Sequence, residues 1–206
     1  MPGVPVTTPC PPPTAPLRSG DLARALTVSL AGRAHRDIAE GGRRAAVLML
    51  LFDRADEAHL LLTKRSEHLP SHPGQISLPG GVREATDESL MHTALRETHE
   101  EVGITPDLVH VLGRLDDVDT IATGFLIRPF VAVARGPLSP VPADDEVARV
   151  MEVPVAEILR VDAALPADAG IATMRYPLDG EDVWGATARI LRTFSAVTRC
   201  ALAGAG

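Results

Sequence analysis

Glu97, Glu100 and Glu101 stand at positions i, i+3 and i+4. A helix with that spacing carries three carboxylates on one face, where like charges repel at roughly 0.2–0.5 kcal/mol per pair. A hard divalent cation reverses the sign of that cost. Mg²⁺ takes carboxylate oxygens and retains several waters, which leaves positions for phosphate oxygens. The chemistry on offer is metal-assisted attack of water on a phosphate bond. An ordinary acidic helix surface holds the same residue types, and Glu-x-x-Glu-Glu alone favours that bland reading. The context reverses it: Gly80-Gly81 precede the carboxylates, Gly103 follows almost directly, and Arg96 is placed to pair with and orient a neighbouring acid.

These residues need a helix held against a core. Residues 88–102 have that periodicity, with Met91, Ala94, Leu95, Thr98 and Val102 as an inward stripe. Asp87 or Thr86 can cap its start, and Gly103 can end it. Upstream, the apolar run 45–52 reads as a buried strand, 53–57 as a turn and 59–63 as the hairpin partner. The connection 66–81 contains Pro70, Pro73, Gly74, Pro79, Gly80 and Gly81, and a loop of that length in a compact domain is usually functional or disordered. Further strands are expected at 109–115, 125–134, 147–153 and 181–184, and helices at 21–33, 155–159 and 187–202. The elements mix without strict alternation, so the expected class is α/β in the α+β sense, with a mixed sheet.

The chain has 206 residues, 45% of them hydrophobic, and a mean hydropathy of +0.10. That suits one domain with appendages: a disordered Pro-rich leader at 1–18 and a single domain at 19–206, its core at about 44–200. No apolar run approaches the ~20 residues of a membrane span, and the N-terminus has no basic-then-apolar secretory pattern. The expected location is cytoplasmic, with no membrane partner. A net charge of −7 argues against a nucleic-acid partner but leaves room for a phosphorylated small molecule. Cys10 and Cys200 lack metal-site spacing and are expected to form no disulfide. There is no G-x-S-x-G elbow, no Cys-His pair and no P-loop.

Residues 81–104, GVREATDESLMHTALRETHEEVGI, resemble the signature of the Nudix hydrolases. Arg96-Glu97, Glu100-Glu101, Gly103 and Ile104 fall in place. Thr98 occupies the usual aliphatic position. The first segment is one residue too long, so Asp87 keeps the spacing from Gly81 and Glu88 the spacing to Arg96, and either can be the first acid of the box. The upstream loop, Leu61-Leu62-Thr63-Lys64-Arg65-Ser66, Gly74 and Pro79-Gly80-Gly81, is similar to the extra motif of the coenzyme A diphosphatase subgroup, with Pro70 in place of its Arg and Leu78 in place of its Phe. Later segments, 124–130, 145–147 and 183–187, fit the same subgroup, and the likeness covers roughly residues 45–191.

The resemblance implies a Nudix fold, a mixed sheet sandwiched between helices with a loop–helix–loop catalytic box. It implies Mg²⁺ or Mn²⁺ as cofactor and, as substrate, a nucleoside diphosphate linked to another group. For the subgroup this is coenzyme A or its thioesters, with adenosine 3′,5′-bisphosphate and 4′-phosphopantetheine (or its acyl form) as products. The metal ligands would be Glu97, Glu100 and Glu101, with a backbone carbonyl at Gly81. Glu100, then Glu97, would help deprotonate the attacking water, with Arg96 orienting them. Glu146 would supply a further acid from a distant loop, with Asp144 and Asp145 as rivals. Lys64 and Arg65 are the local cations for phosphates, and His72, Gln75 and Gly80 the other candidate substrate contacts. Trp184 is assigned to packing and His99 to an exposed helix position. A Nudix hydrolase of another diphosphate (ADP-ribose, a dinucleotide or a nucleoside triphosphate) is the alternative. A non-catalytic binding module on the same scaffold is a minor one, and a homodimer is left open.

Overall fold

A computed structural model describes residues 16–37, 43–120, 124–143, 145–170 and 172–204. Its centre is β1 (Arg43–Arg54), which joins β2 (Glu57–Arg65) through a turn whose two residues, Ala55 and Asp56, both take positive φ. That geometry matches the twist of a tight hairpin. β1 runs parallel to β7 (Phe125–Ala134), and β5 (Val109–Arg114) and β6 (Val118–Asp119) add antiparallel to β7. On its other side β2 pairs with β3 (Ile76–Ser77) and β8 (Val147–Pro154).

Helices cover both faces, which is why the middle of β1 reads as one continuous apolar run rather than an alternating one. Met49 and Leu51 point to one face, with Leu60, Leu62 and Val131. Three helices cover that side: α1 (Ser19–Ala31), α3 (Val155–Ala164) and α4 (Gly185–Gly204). Ala46, Leu48, Leu50 and Phe52 point to the other, with Leu61 and Phe130, and meet Ala94 and Val102 of α2 (Leu90–Val102). The expected sandwich of a mixed sheet between helices is therefore present. A hairpin of β9 (Tyr176–Leu178) and β10 (Glu181–Val183) precedes α4.

The sheet splits beside β1. β2 pairs with it at Leu51–Arg54, whereas the short β4 (Gly80–Val82) pairs with its other end, at Ala45–Val47. Between them Leu48 N–H donates to the Pro79 carbonyl at 2.8 Å. The last third of the connection 66–81 is thus structured: it is built into the sheet as β3 and β4, and its Gly-Gly terminus lies against α2.

Of the expected leader, residues 1–15 and Cys10 among them lie outside the described residues, but Leu17 is buried and its carbonyl accepts from Ala58 N–H. α1 starts two residues earlier than its periodicity suggests, its Ser19 N–H held by Asp53 at 2.7 Å. Cys200 is exposed on α4. No helix among the described residues is long and apolar enough to cross a membrane.

Candidate active site

α2 begins later than its apolar pattern suggests. Neither Asp87 nor Thr86 caps it: Ser89 is the cap, its hydroxyl accepting from His92 N–H at 3.1 Å, and Gly103 ends the helix in the left-handed conformation, as expected. The inward stripe is Thr93, Ala94, Thr98, Glu101 and Val102, while Met91 is exposed. Thr98 tolerates the aliphatic position because its hydroxyl donates to the Ala94 carbonyl of its own helix at 2.7 Å, so no buried polar group is orphaned.

The late start of the helix decides which residue meets Arg96. Asp87, fully buried, accepts from Arg96 Nε at 3.0 Å and from Nη2 at 3.1 Å. It also accepts from Glu84 N–H and from the Thr93 hydroxyl, both at 2.9 Å, and His92 Nδ1 lies 3.1 Å away. Glu88 is exposed. The Arg96 guanidinium beside Asp87 holds its carboxyl far below the usual carboxylate range, with burial opposing and the other donors assisting. The same contact pushes Arg96 further up. Anchored there, Arg96 also donates to Glu97 Oε1 at 2.9 Å, to Glu100 Oε2 at 2.7 Å and to the Val82 carbonyl at 3.3 Å. One cation thus ties α2 to β4 and orients two acids.

The three glutamates do not share one environment. Glu100 is exposed, Glu97 is mostly covered, and Glu101 is buried with Oε2 accepting from Gly80 N–H at 3.2 Å. Burial pushes Glu101 up to about 8, and the charges of Glu97 and Glu146 add to the rise while Gly80 N–H and Arg65 oppose it. Glu97 is raised chiefly by burial too, with Arg96 opposing and Glu100 and Glu146 adding. A carboxyl whose folded pKa exceeds its unfolded value contributes stability below the unfolded value and loses it as pH rises through the folded one. The cation-free protein is therefore expected to lose thermal stability between about pH 4.5 and pH 8, and Glu101→Gln to remove most of that slope. A pH series of melting curves checks this, and an equal slope in the variant would refute it.

The glycines are required by close approach. A Cβ on Gly81 would lie 2.5 Å from both carboxylate oxygens of Glu97, although the Gly81 backbone itself is unstrained. At Gly80, φ is +148° and a Cβ would meet Val47 Cα at 2.6 Å. Gly81→Ala is expected to cut activity about a hundredfold by displacing the Glu97 carboxylate with little loss of stability. Gly80→Ala is expected to destabilise the fold as well. Steady-state rates and melting curves on both variants separate the two effects.

Of the cations expected to meet phosphates, Arg65 comes to this site and Lys64 does not. Arg65 is the residue whose positive charge opposes the rise of Glu101, and its Nε is buried without a hydrogen-bond partner. Lys64 is instead paired with Glu181 of β10 at 2.9 Å. Neighbouring strand residues point to opposite faces, which gives the two cations different surroundings. Glu146 is brought in by β8: its carbonyl accepts from Ser66 N–H at 2.9 Å, and its charge acts on both Glu97 and Glu101. Asp145 is exposed and Asp144 lies outside the described residues. Gln75 is tied in through its carbonyl, which accepts from Arg65 N–H at 3.0 Å, whereas His72 and His99 are exposed, His72 at a positive φ.

The donor set of Glu97, Glu100, Glu101 and the Gly81 carbonyl is all hard oxygen, which fits Mg²⁺ or Mn²⁺. The cradle at Gly81, which a Cβ would fill, lets the Glu97 carboxylate reach that backbone. Among the described residues no three His, Cys, Asp or Glu side chains are arranged to hold a metal as they stand, and Glu97 and Glu100 are both turned onto Arg96. A concavity of about 410 Å³ between α1 and α4, lined by Arg24, Val28, Cys200 and Gly204, lies across the sheet from α2 and has no acid in its wall among the described residues.

A model of the NUDIX domain matches residues 42–174. The chain is 39% identical over 162 residues to the Uncharacterized Nudix hydrolase NudL of Enterobacter sp. (strain 638), and 42% identical over 155 residues to the protein of that name from Cronobacter sakazakii. Each match covers 73% of this chain and 80% of the relative. Among solved structures, a Nudix hydrolase from Alicyclobacillus acidocaldarius superposes with a TM-score of 0.57 over 82% of this chain and 98% of that one, at 19% identity. A C. elegans Ap4A hydrolase does so with a TM-score of 0.53 over 79% and 98%, at 20% identity. At those identities the structural likeness concerns the fold. With the matched domain, the relatives and the Arg96-centred helix in agreement, the chain belongs to the Nudix hydrolase family.

Proposed function

We propose that this Nudix hydrolase cleaves the diphosphate of coenzyme A or its thioesters, giving adenosine 3′,5′-bisphosphate and 4′-phosphopantetheine or its acyl form. The observation that supports the reading is Arg65, in the loop motif of residues 61–81: its Nε is buried without a hydrogen-bond partner, and its charge acts on Glu101. A guanidinium there can bind a diphosphate oxygen while the acids serve the metal.

Glu97, Glu100, Glu101 and the Gly81 carbonyl would hold Mg²⁺ or Mn²⁺. The ion supplies charge compensation for the diphosphate oxygens and a more acidic water. Glu100, the most exposed of the three acids, accepts a proton from the attacking water, with Glu97 as its rival. The water oxygen bonds to one phosphorus, and the bridging oxygen leaves with the electron pair on the other phosphate. Arg65 offsets charge on the diphosphate, and Glu146 is a further acid at the rim. Asp87 keeps Arg96, and through it both acids, in place.

Pro70 favours a second reading, since it is exposed where the subgroup motif carries an Arg. Leu78 is less telling, being buried in the core as an apolar side chain would be. The alternative is hydrolysis of another nucleoside diphosphate derivative such as ADP-ribose. A substrate panel with Mg²⁺ and with Mn²⁺ tests this. Coenzyme A should be cleaved to two phosphomonoesters; intact coenzyme A beside cleaved ADP-ribose would overturn the first reading.

A further inference from the structure

Trp184 is the only tryptophan of the chain and would ordinarily be assigned to packing. It is not buried: 43% of it is exposed, at the junction between β10 and α4. Arg175 stands over the ring with Cζ 5.7 Å from the centroid, and is itself held by Asp182 at 3.4 Å and by the Met174 carbonyl at 3.2 Å. A large aromatic ring left open to water, with a cation fixed beside it, is an arrangement that favours a further flat partner.

The ring's position relates it to the acids of α2. The chain turns at Gly185, where φ is +66°, and a Cβ there would lie 3.8 Å from Gln75 Nε2. The first turn of α4 is tied to the same loop by the Thr187 hydroxyl, which donates to the Ile76 carbonyl at 3.2 Å. Gln75 in turn accepts from Arg65 N–H, and the charge of Arg65 reaches Glu101. The start of α4, the Gln75 amide and the backbone of Arg65 are therefore neighbours at this end of β2 and β3.

We propose that Trp184 is the stacking surface for the purine base of the nucleoside diphosphate substrate, with the Gln75 amide at the edge of the base and Arg65 at the phosphates. The inference rests on the diphosphate-hydrolase reading but not on coenzyme A as the substrate. Stacking on an aromatic side chain tolerates any base, whereas an amide can select among base edges.

A single tryptophan makes the test direct. In the full chain, with Mg²⁺ present, adenosine 3′,5′-bisphosphate, ADP and ADP-ribose should each change the intrinsic fluorescence saturably, and 4′-phosphopantetheine should not. Trp184→Ala should raise KM about tenfold to a hundredfold for whichever diphosphate is turned over, more than it lowers kcat, and Trp184→Phe should recover most of the loss. Unchanged fluorescence with the purine nucleotides together with an unchanged KM would overturn the proposal, as would a response to 4′-phosphopantetheine alone. If ADP-ribose is cleaved and changes the fluorescence while coenzyme A does neither, the substrate reading fails and the stacking surface stands.

Discussion

Glu97→Gln should lower kcat by about 10²–10³-fold without lowering the melting temperature. Glu97 lies against the Gly81 backbone, takes an N–H from Arg96 and is largely withdrawn from water. It is thus held on two sides by the fold. The amide keeps the shape of the side chain and one acceptor for Arg96, but loses the charge a divalent cation needs. It also removes a buried negative charge that raises Glu101, so the cation-free fold should be unharmed. Glu100→Gln, which removes a candidate ligand and the assigned base together, should abolish turnover. Raising the Mn²⁺ concentration should partly restore a variant that has lost a ligand and should leave one that has lost its base inactive. Undiminished kcat in Glu97→Gln would remove this carboxylate from the reaction. Undiminished kcat in Glu100→Gln would remove the assigned base.

The strands and the box were legible because their residues are constrained locally. The strand expected at 125–134 matches Phe125–Ala134, and the one expected at 147–153 lacks only Pro154. What escaped depends on distant partners. The start of α2 turns on a single capping hydroxyl, that of Ser89, two residues beyond the Asp87 and three beyond the Thr86 to which the sequence pointed. Because the helix starts there, Asp87 sits under Arg96 and Glu88 in solvent, which no count of residues could decide. Glu101 lies seven residues after Ala94 and three after Thr98, on the inward stripe. A periodicity read from apolar residues alone leaves it out, although its helical phase is the same. The small strands β3 and β4 have too few residues for a pattern; β4 takes up backbone groups that β1 leaves unpaired where β2 diverges, and β3 adds to the end of β2 at Thr63 and Lys64. The separation of Lys64 from Arg65 was available in the sequence as strand alternation. The exposure of Trp184 was not, since it depends on how the β9–β10 hairpin meets α4.

Asp87→Asn should destabilise the protein by about 3–5 kcal/mol, whereas Glu88→Gln should change stability by less than about 0.5 kcal/mol. The asymmetry follows from burial. Asp87 is enclosed and accepts from Arg96, Glu84 N–H and the Thr93 hydroxyl, so an amide puts a donor where acceptors are needed and costs the Arg96 guanidinium its buried partner. The sign with pH follows from the lowered carboxyl. Its contribution is present above the unfolded value near pH 4 and is lost only as pH falls far below it. Wild type and Asp87→Asn should therefore differ fully at neutral pH and converge only in strong acid. Activity should fall with stability, since Arg96 orients Glu97 and Glu100 from this anchor. Asp87→Glu, which retains the charge on a longer arm, should recover part of the stability and less of the rate, because the added methylene shifts the guanidinium and both acids with it. Denaturant unfolding of the variants, read beside kcat, measures each term. A destabilisation in Glu88→Gln as large as that in Asp87→Asn would mean that the acid pairing with Arg96 has been misassigned.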